Sequence, residues 1–368
     1  MTLEVRHILE KALSRERIVP EEGLALISSK DVLALGRTAE EVCRILHPEP
    51  YRTYAIDRNI NYTNICVARC RFCAFSRDLD EEDAYTISEE DLFQKIKETV
   101  EQGGTQILMQ GGLHPHLRLD FYEGLLRSIK ERFSIHIHSF SPPEIIHFSR
   151  LEGLTVREVI LRLREAGLDS IPGGGAEILV DRCRGAVSPK KYTAGEWLTV
   201  MREAHGLGMK TSATMMFGHV ETLEERIVHM DRLRQLQDET GGFTAFIPWP
   251  FQPMHTQLEK LPPVGAFEYL KTLAVSRLYL DNIPNVQSSW VTQGAKIGQL
   301  ALRFGANDMG STMLEENVVR ATGVSFLMTR DEIVRLIEDL GYQARQRDFY
   351  YQLVDGRGNP PEADGCPK

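Results

Sequence analysis

Apolar residues recur at helical spacing through the first fifty positions, as Val5, Ile8, Leu9 and Leu13 and then Val32, Leu33, Leu35 and Val42. Pro48 and Pro50 stop that pattern and begin a connection. Beyond it, short β-like runs alternate with amphipathic helical stretches. Strands are predicted at 60–65, 106–110, 135–140, 169–171, 210–217, 243–247, 285–288 and 301–305. Between them, Ser88 caps a helix with Asp91 three residues on, and Leu92, Phe93, Ile96 and Val100 form its buried stripe. Further stripes are Phe121, Leu125, Leu126 and Ile129, and Val156, Val159, Ile160 and Leu163, with helices also at 197–205 and 222–237. Strands alternating with helices in this way predict an α/β fold, a (β/α)8 TIM-type barrel. The expected division is a helical extension at 1–50, the barrel at 51–340 and a C-terminal extension at 341–368. Within the last, 355–368 is rich in glycine and proline and reads as a tail.

Composition narrows the class only a little. The 368 residues are 42% hydrophobic and 26% charged, with 43 Lys and Arg against 52 Asp and Glu, a formal charge of −9. That balance argues against a protein whose main work is holding nucleic acid. No run approaches about 18 apolar residues, so no membrane partner is expected. The opening Met1-Thr2-Leu3-Glu4 lacks a basic, then apolar, export pattern, which predicts a cytoplasmic protein.

The six cysteines change the picture. Cys43, Cys183 and Cys366 are isolated, and small core or surface residues account for them. Cys66, Cys70 and Cys73 fall together as C-x3-C-x2-C directly after a predicted strand. Three clustered thiols cannot all pair with one another, so a disulfide framework is improbable. Thiolates favour iron–sulfur or zinc over hard cations. A structural zinc site wants four protein ligands, and no second C-x2-C or H-x3-H lies nearby. Three ligands suit a [4Fe-4S] cluster with one open iron, which can bind the amino and carboxylate groups of S-adenosylmethionine and cleave it to a 5′-deoxyadenosyl radical. A non-catalytic zinc-binding protein is the alternative from another class.

This loop resembles the radical SAM superfamily, in which C-x3-C-x-aromatic-C follows the first barrel strand. The resemblance implies that Phe72 lies against the adenine. It also implies that Gln110, Gly111 and Gly112, after the second strand, bind the methionine amino group. Ser141, after the third strand, joins the cofactor-side residues. Gly173 and Gly174, in Ile171-Pro172-Gly173-Gly174-Gly175-Ala176-Glu177, offer flexible backbone beside a bound cofactor. Glu177 either bonds a ribose hydroxyl or caps the next helix. His136 and His138, two apart on a strand, point to one face and into the lumen. Gly305 to Thr312, with Glu315, Glu316 and Asn317, reads either as substrate-contacting or as a capped helix start.

Asn61-Tyr62-Thr63-Asn64-Ile65-Cys66 and Cys73-Ala74-Phe75 are similar to the futalosine-pathway and deazaflavin-synthase branch. Gly167 to Leu179, Ala213 to His219, Phe246 to Phe251 and Glu315 to Val319 look most like that branch's dehypoxanthine futalosine cyclases. Gln110-Gly111-Gly112-Leu113-His114-Pro115 is shared with aminofutalosine synthases, and these or another sister enzyme of the futalosine and deazaflavin branch stay as the alternative. The resemblance implies a small-molecule substrate, dehypoxanthine futalosine, and an electron donor such as flavodoxin or ferredoxin. It also implies C4′ hydrogen abstraction and ring closure toward menaquinone. Glu144, Glu177, His138 and Asp308 are the candidates for substrate binding or for the base.

Overall fold

A computed structural model describes residues 2–354. Three helices open the chain: α1 (Leu3–Leu13), α2 (Pro20–Ser28) and α3 (Val32–Leu46). Thr2 and Asp31 cap α1 and α3 through their side-chain oxygens, and Pro20 supplies the preset φ that starts α2. Then follow β1 (Tyr51–Ala55), β2 (Asn59–Asn61), α4 (Glu89–Glu101), β3 (Gln106–Gln110), α5 (Leu119–Arg132) and β4 (His136–Ser139). The middle of the chain forms α6 (Pro142–Glu152), α7 (Val156–Ala166), β5 (Ser170–Ile171), α8 (Asp181–Val187), α9 (Ala194–Gly206), β6 (Lys210–Phe217) and α10 (Leu223–Thr240). The last part runs β7 (Phe243–Pro250), α11 (Ala266–Tyr279), β8 (Asn285–Val286), α12 (Trp290–Ala301), β9 (Asp308–Ser311), α13 (Arg330–Glu338) and β10 (Gln343–Gln346). Capping boxes at Thr155/Glu158, Thr193/Glu196, Thr222/Glu225 and Thr329/Glu332 begin α7, α9, α10 and α13.

β2 to β8 pair in chain order as one parallel seven-stranded sheet. β10, β1 and β9 make a second parallel sheet, and a bridge between Gln287 and Asp308 joins the two. The result is an α/β barrel in which helices cover the outside and strand residues of alternate parity face the lumen. The N-terminal helices share the same hydrophobic core: Leu26, Ile27, Leu35 and Ala39 are fully buried. Arg17 pairs with Asp238 and Asp281, tying the end of α1 to α10 and the end of α11.

Two details depart from the pattern expected above. Residues 301–305 are not a strand: Ala301 ends α12, a turn follows, and the strand at this place is β9. The apolar Ala301-Leu302 pair continues the buried face of a helix, which a short apolar run does not distinguish from a strand. β1 falls in the segment read as a connection. Its Arg52 and Thr53 are polar yet buried, because Arg52 stacks on Tyr342 at 4.0 Å and Thr53 bonds Asp308. The tail read at 355–368, with Cys366, lies outside the described residues.

Candidate active site at the cysteine loop

β2 ends at Asn61, and the chain then forms the loop that carries Cys66, Cys70 and Cys73. Backbone bonds hold it on both sides: Cys66 N–H to Arg77 O (3.0 Å), Val67 N–H to Leu113 O (3.0 Å) and Arg71 N–H to Val187 O (2.8 Å). All three cysteines are free thiols, Cys70 buried and the others half-buried. Gly112 is what lets the turn after β3 approach this loop, since a Cβ there would stand 2.1 Å from Ile65 O and 2.9 Å from Cys66 Cβ. Phe72 follows within the loop, with the Lys191 ammonium 5.3 Å from its ring centre.

Glu144, in the first turn of α6, is fully buried beside that turn. One carboxylate oxygen accepts from Tyr62 Oη and from the Gly111 N–H (3.1 Å); the other accepts from Ser141 Oγ and the Ser141 N–H (2.7 Å). Burial pushes its carboxyl up while those donors oppose the rise. The four donors fill the lone pairs facing the protein, so Glu144 fixes Gly111 against Ser141. Across from it, a Cβ on Gly174 would come 2.3 Å from Gln110 Nε2, so the glycine stretch after β5 lies directly on Gln110. Ser212 Oγ accepts from the Gly173 N–H at 3.1 Å and Trp197 donates to Gly174 O at 3.1 Å.

Glu177 has φ +41°, uncommon for a residue with a side chain, and is 5% exposed. It caps no helix, because α8 begins at Asp181 after Val180. Its carboxylate accepts from Lys191 Nζ at 2.8 Å and Arg184 Nη1 at 3.3 Å. Burial alone would raise its carboxyl, but these two cations hold it below the ordinary range. Lys191 thereby sits between Glu177 and the cysteine loop, a placement that a lone lysine in a sequence does not signal.

His138 and His136 do share a face. Both bond the Ser170 hydroxyl at 2.7 Å and both pack on Phe349 at 4.7 Å. Burial holds His138 well below the usual imidazole range, so it is neutral, and its Nε2 lies 3.3 Å from Ser212 Oγ. Asp308 is placed differently from the other candidates. It is fully buried and gripped by Arg347 Nε (2.7 Å) and Nη2 (2.9 Å), Thr53 Oγ1 (2.6 Å) and the Gly310 N–H (2.8 Å). Its oxygens are committed to closing the barrel, with Arg347, Phe349 and Tyr351 from the chain's end forming the floor.

A cavity of about 300 Å³ occupies the lumen between the glycine stretch and this floor. Gln110, Gly173, Gly174, Glu177 and His138 line it, and so do Asp57, Asn59, Gln106, Trp249 and Trp290, which pattern reading passed over. Asn59 and Gln106 are polar residues on short strands, and with polar neighbours at Arg58, Asn61 and Thr105 nothing in the sequence sets them apart. Among the described residues, no three His, Cys, Asp or Glu side chains converge as a ready-made site for one ion. Three thiols spread along one loop, facing a cradle of glycine backbone, fit separate corners of an iron–sulfur cluster.

Comparison with known proteins decides the family. Residues 60–233 match the radical SAM superfamily, and residues 240–358 match the CofH/MqnC C-terminal region. The cyclic dehypoxanthine futalosine synthase of Halalkalibacterium halodurans is 46% identical over 96% of this chain and 95% of that protein. The chain belongs to the radical SAM superfamily. Within it, the cyclic dehypoxanthine futalosine synthase of Streptomyces coelicolor is 43% identical over 97% of this chain and 90% of its own length. The aminodeoxyfutalosine synthase of Thermus thermophilus is 40% identical over 94% and 95%. In fold, the chain resembles HydG, a maturase of the [FeFe]-hydrogenase, with a TM-score of 0.75 over 93% of this chain and 76% of that one, at 17% identity. Radical SAM proteins use a [4Fe-4S] cluster and S-adenosylmethionine, and the three-cysteine loop of this member has the donors for the cluster. Among the described residues no helix is long and apolar enough to cross a membrane.

Proposed function

We propose that this radical SAM enzyme cyclises dehypoxanthine futalosine to cyclic dehypoxanthine futalosine in menaquinone biosynthesis. The observation that carries the reading is 46% identity to a protein of that name along nearly the whole of both chains. When bound, the cluster and S-adenosylmethionine supply a 5′-deoxyadenosyl radical that takes the C4′ hydrogen of the substrate ribose. Everything else falls to the protein.

Cys66, Cys70 and Cys73 would hold three irons. Gln110, Gly111 and Gly112, braced by Glu144 and Ser141, would hold the methionine end, and Phe72 the adenine. Gly173 and Gly174 would bring backbone close to the cofactor, with Glu177 fixed beside them by Lys191 and Arg184. His138, neutral and hydrogen-bonded to Ser170 and Ser212, is the candidate to receive the proton lost as the arene regains aromaticity, the electron lost with it passing to a one-electron acceptor of the flavodoxin or ferredoxin class. Glu144 serves the reaction by holding Gly111, and Asp308 by closing the floor beneath the cavity. Enclosure matters here because a carbon radical must meet its intended partner before water or oxygen, so positioning is the main contribution of the chain. The electron would come from a flavodoxin- or ferredoxin-type donor, with the enzyme in the cytoplasm.

Anaerobic turnover of the reconstituted, reduced protein tests the reading. Dehypoxanthine futalosine and S-adenosylmethionine should give 5′-deoxyadenosine and a spirocyclic product two hydrogens lighter than the substrate. The second reading is aminodeoxyfutalosine synthase, favoured by the shared Gln110 to Pro115 turn and by 40% identity to the Thermus thermophilus enzyme. Product formation from an enol-ether substrate but not from dehypoxanthine futalosine would establish it instead.

A further inference from the structure

β2 and β3 line one side of the cavity with amide and carboxylate groups. Asn59 pairs in register with Leu108, and Gln106 lies two residues before Leu108, so Asn59, Gln106 and Leu108 share the lumen face. The Gln106 Nε2 donates to the Asp57 carboxylate at 2.9 Å, and Asp57 also accepts from the Ser311 hydroxyl. The Asn59 Nδ2 faces the Glu316 carboxylate at 3.4 Å. Each carboxylate thus fixes the orientation of one amide, because only the NH2 side can face it. Both amide oxygens, Asn59 Oδ1 and Gln106 Oε1, are then left without a hydrogen-bond partner, on residues that are each 5% exposed.

Two orphaned acceptors beside two carboxyl groups, both pushed up by burial, make a wall that wants hydrogen-bond donors. Hydroxyl groups satisfy it; a carboxylate or phosphate does not. Depth distinguishes which hydroxyls. Gln106 opens β3 and Gln110 closes it, while Asn59 is level with Leu108, so at about 3.3 Å per residue the wall runs from roughly 7 to roughly 13 Å below the Gln110-Gly111-Gly112 turn where the cofactor belongs.

We propose that Asn59 and Gln106 form a hydroxyl-recognition subsite that takes the ribose hydroxyls of the substrate and turns its carboxylate to the opposite wall. The assignment rests on the cyclase reading above. Asp57 and Glu316 are positioning residues that hold the two amides. The carboxylate end then faces the hydroxyl-bearing side of the lumen, where Ser212, Thr244, Ser289 and Thr292 stand. That orientation presents the sugar edge to the cofactor from a fixed side.

Trp249 and Trp290 line the same cavity, so their fluorescence reports binding without turnover. The test titrates anaerobically reconstituted protein with dehypoxanthine futalosine and with its 2′-deoxy and 3′-deoxy analogues. The same titrations are run on Asn59→Ala and Gln106→Leu, and S-adenosylmethionine is titrated against all three proteins. Wild type should bind at least one deoxy analogue roughly 5- to 150-fold more weakly than the parent, the loss expected when a buried acceptor goes unpaired. In the variants that ratio should shrink toward one, with the affinity for S-adenosylmethionine unchanged within about twofold. Equal binding of parent and analogues by wild type overturns the proposal, a result that needs no variant to fold. Weakened S-adenosylmethionine binding in the variants, with analogue discrimination intact, also overturns it by assigning the wall to the cofactor's ribose. Conversion of the parent without discrimination sinks the subsite alone; absence of both binding and conversion sinks the cyclase reading and the subsite with it.

Discussion

Replacing Glu144 by glutamine should loosen the turn that carries Gly111 while changing almost nothing in volume. Its carboxylate takes four donors, two on each oxygen: Tyr62 Oη with the Gly111 N–H, and Ser141 Oγ with the Ser141 N–H. A glutamine offers one acceptor oxygen and one NH2. The Tyr62 and Ser141 hydroxyls can rotate to accept from the NH2, but a backbone N–H cannot. Whichever way the amide lies, the half-buried Gly111 N–H or the buried Ser141 N–H is left unpaired. That costs about 1–3 kcal/mol, or roughly 5- to 150-fold in a local opening equilibrium. Hydrogen–deuterium exchange over 106–113 and 139–146 reads it directly. One of the two amides should exchange faster by that factor, and S-adenosylmethionine should bind more weakly because Gly111 sits in its expected cradle. If both amides exchange within about twofold of wild type, the four-donor account of Glu144 is wrong.

Cys66→Ser, Cys70→Ser and Cys73→Ser should each lose cluster iron and 5′-deoxyadenosine production, whereas Cys43→Ala and Cys183→Ala should keep both; iron and sulfide analysis checks this. Asp308→Ala leaves the Arg347 guanidinium buried without its counter-ion and should cost about 3–5 kcal/mol. Asp308→Leu combined with Arg347→Met should cost less, and a single variant as stable as the double would contradict the argument. His47 and His205 are each lowered by burial to about 4, from an ordinary 6.5. The unfolded chain therefore takes up their protons first, so stability should be full above about 6.5 and fall as pH drops toward 4. Denaturant midpoints measured across that window should slope accordingly, and less steeply in His205→Gln; a flat profile would count against the burial account.

Much of this protein is legible in one dimension because the relevant physics is local. Thiol spacing is a property of one loop, so Cys66, Cys70 and Cys73 stand out without any fold. Helical stripes and capping pairs such as Thr222 and Glu225 act within a turn, and the strand at 106–110 announces itself by the apolar run Ile107-Leu108-Met109. The reading fails where burial is settled by a distant partner. Ala301 and Leu302 are apolar in either a strand or the last turn of α12, and only the packing of α12 chooses. β1 hides because Arg52 and Thr53 look exposed until Tyr342 and Asp308 arrive from the far end of the chain. For the same reason Asp308 resembles a free acid until Arg347, 39 residues later, binds it in a bidentate pair. Asn59 and Gln106 carry no motif at all. What makes them notable is two amide oxygens left without partners, and that exists only once carboxylates from two other segments have fixed which way each amide faces.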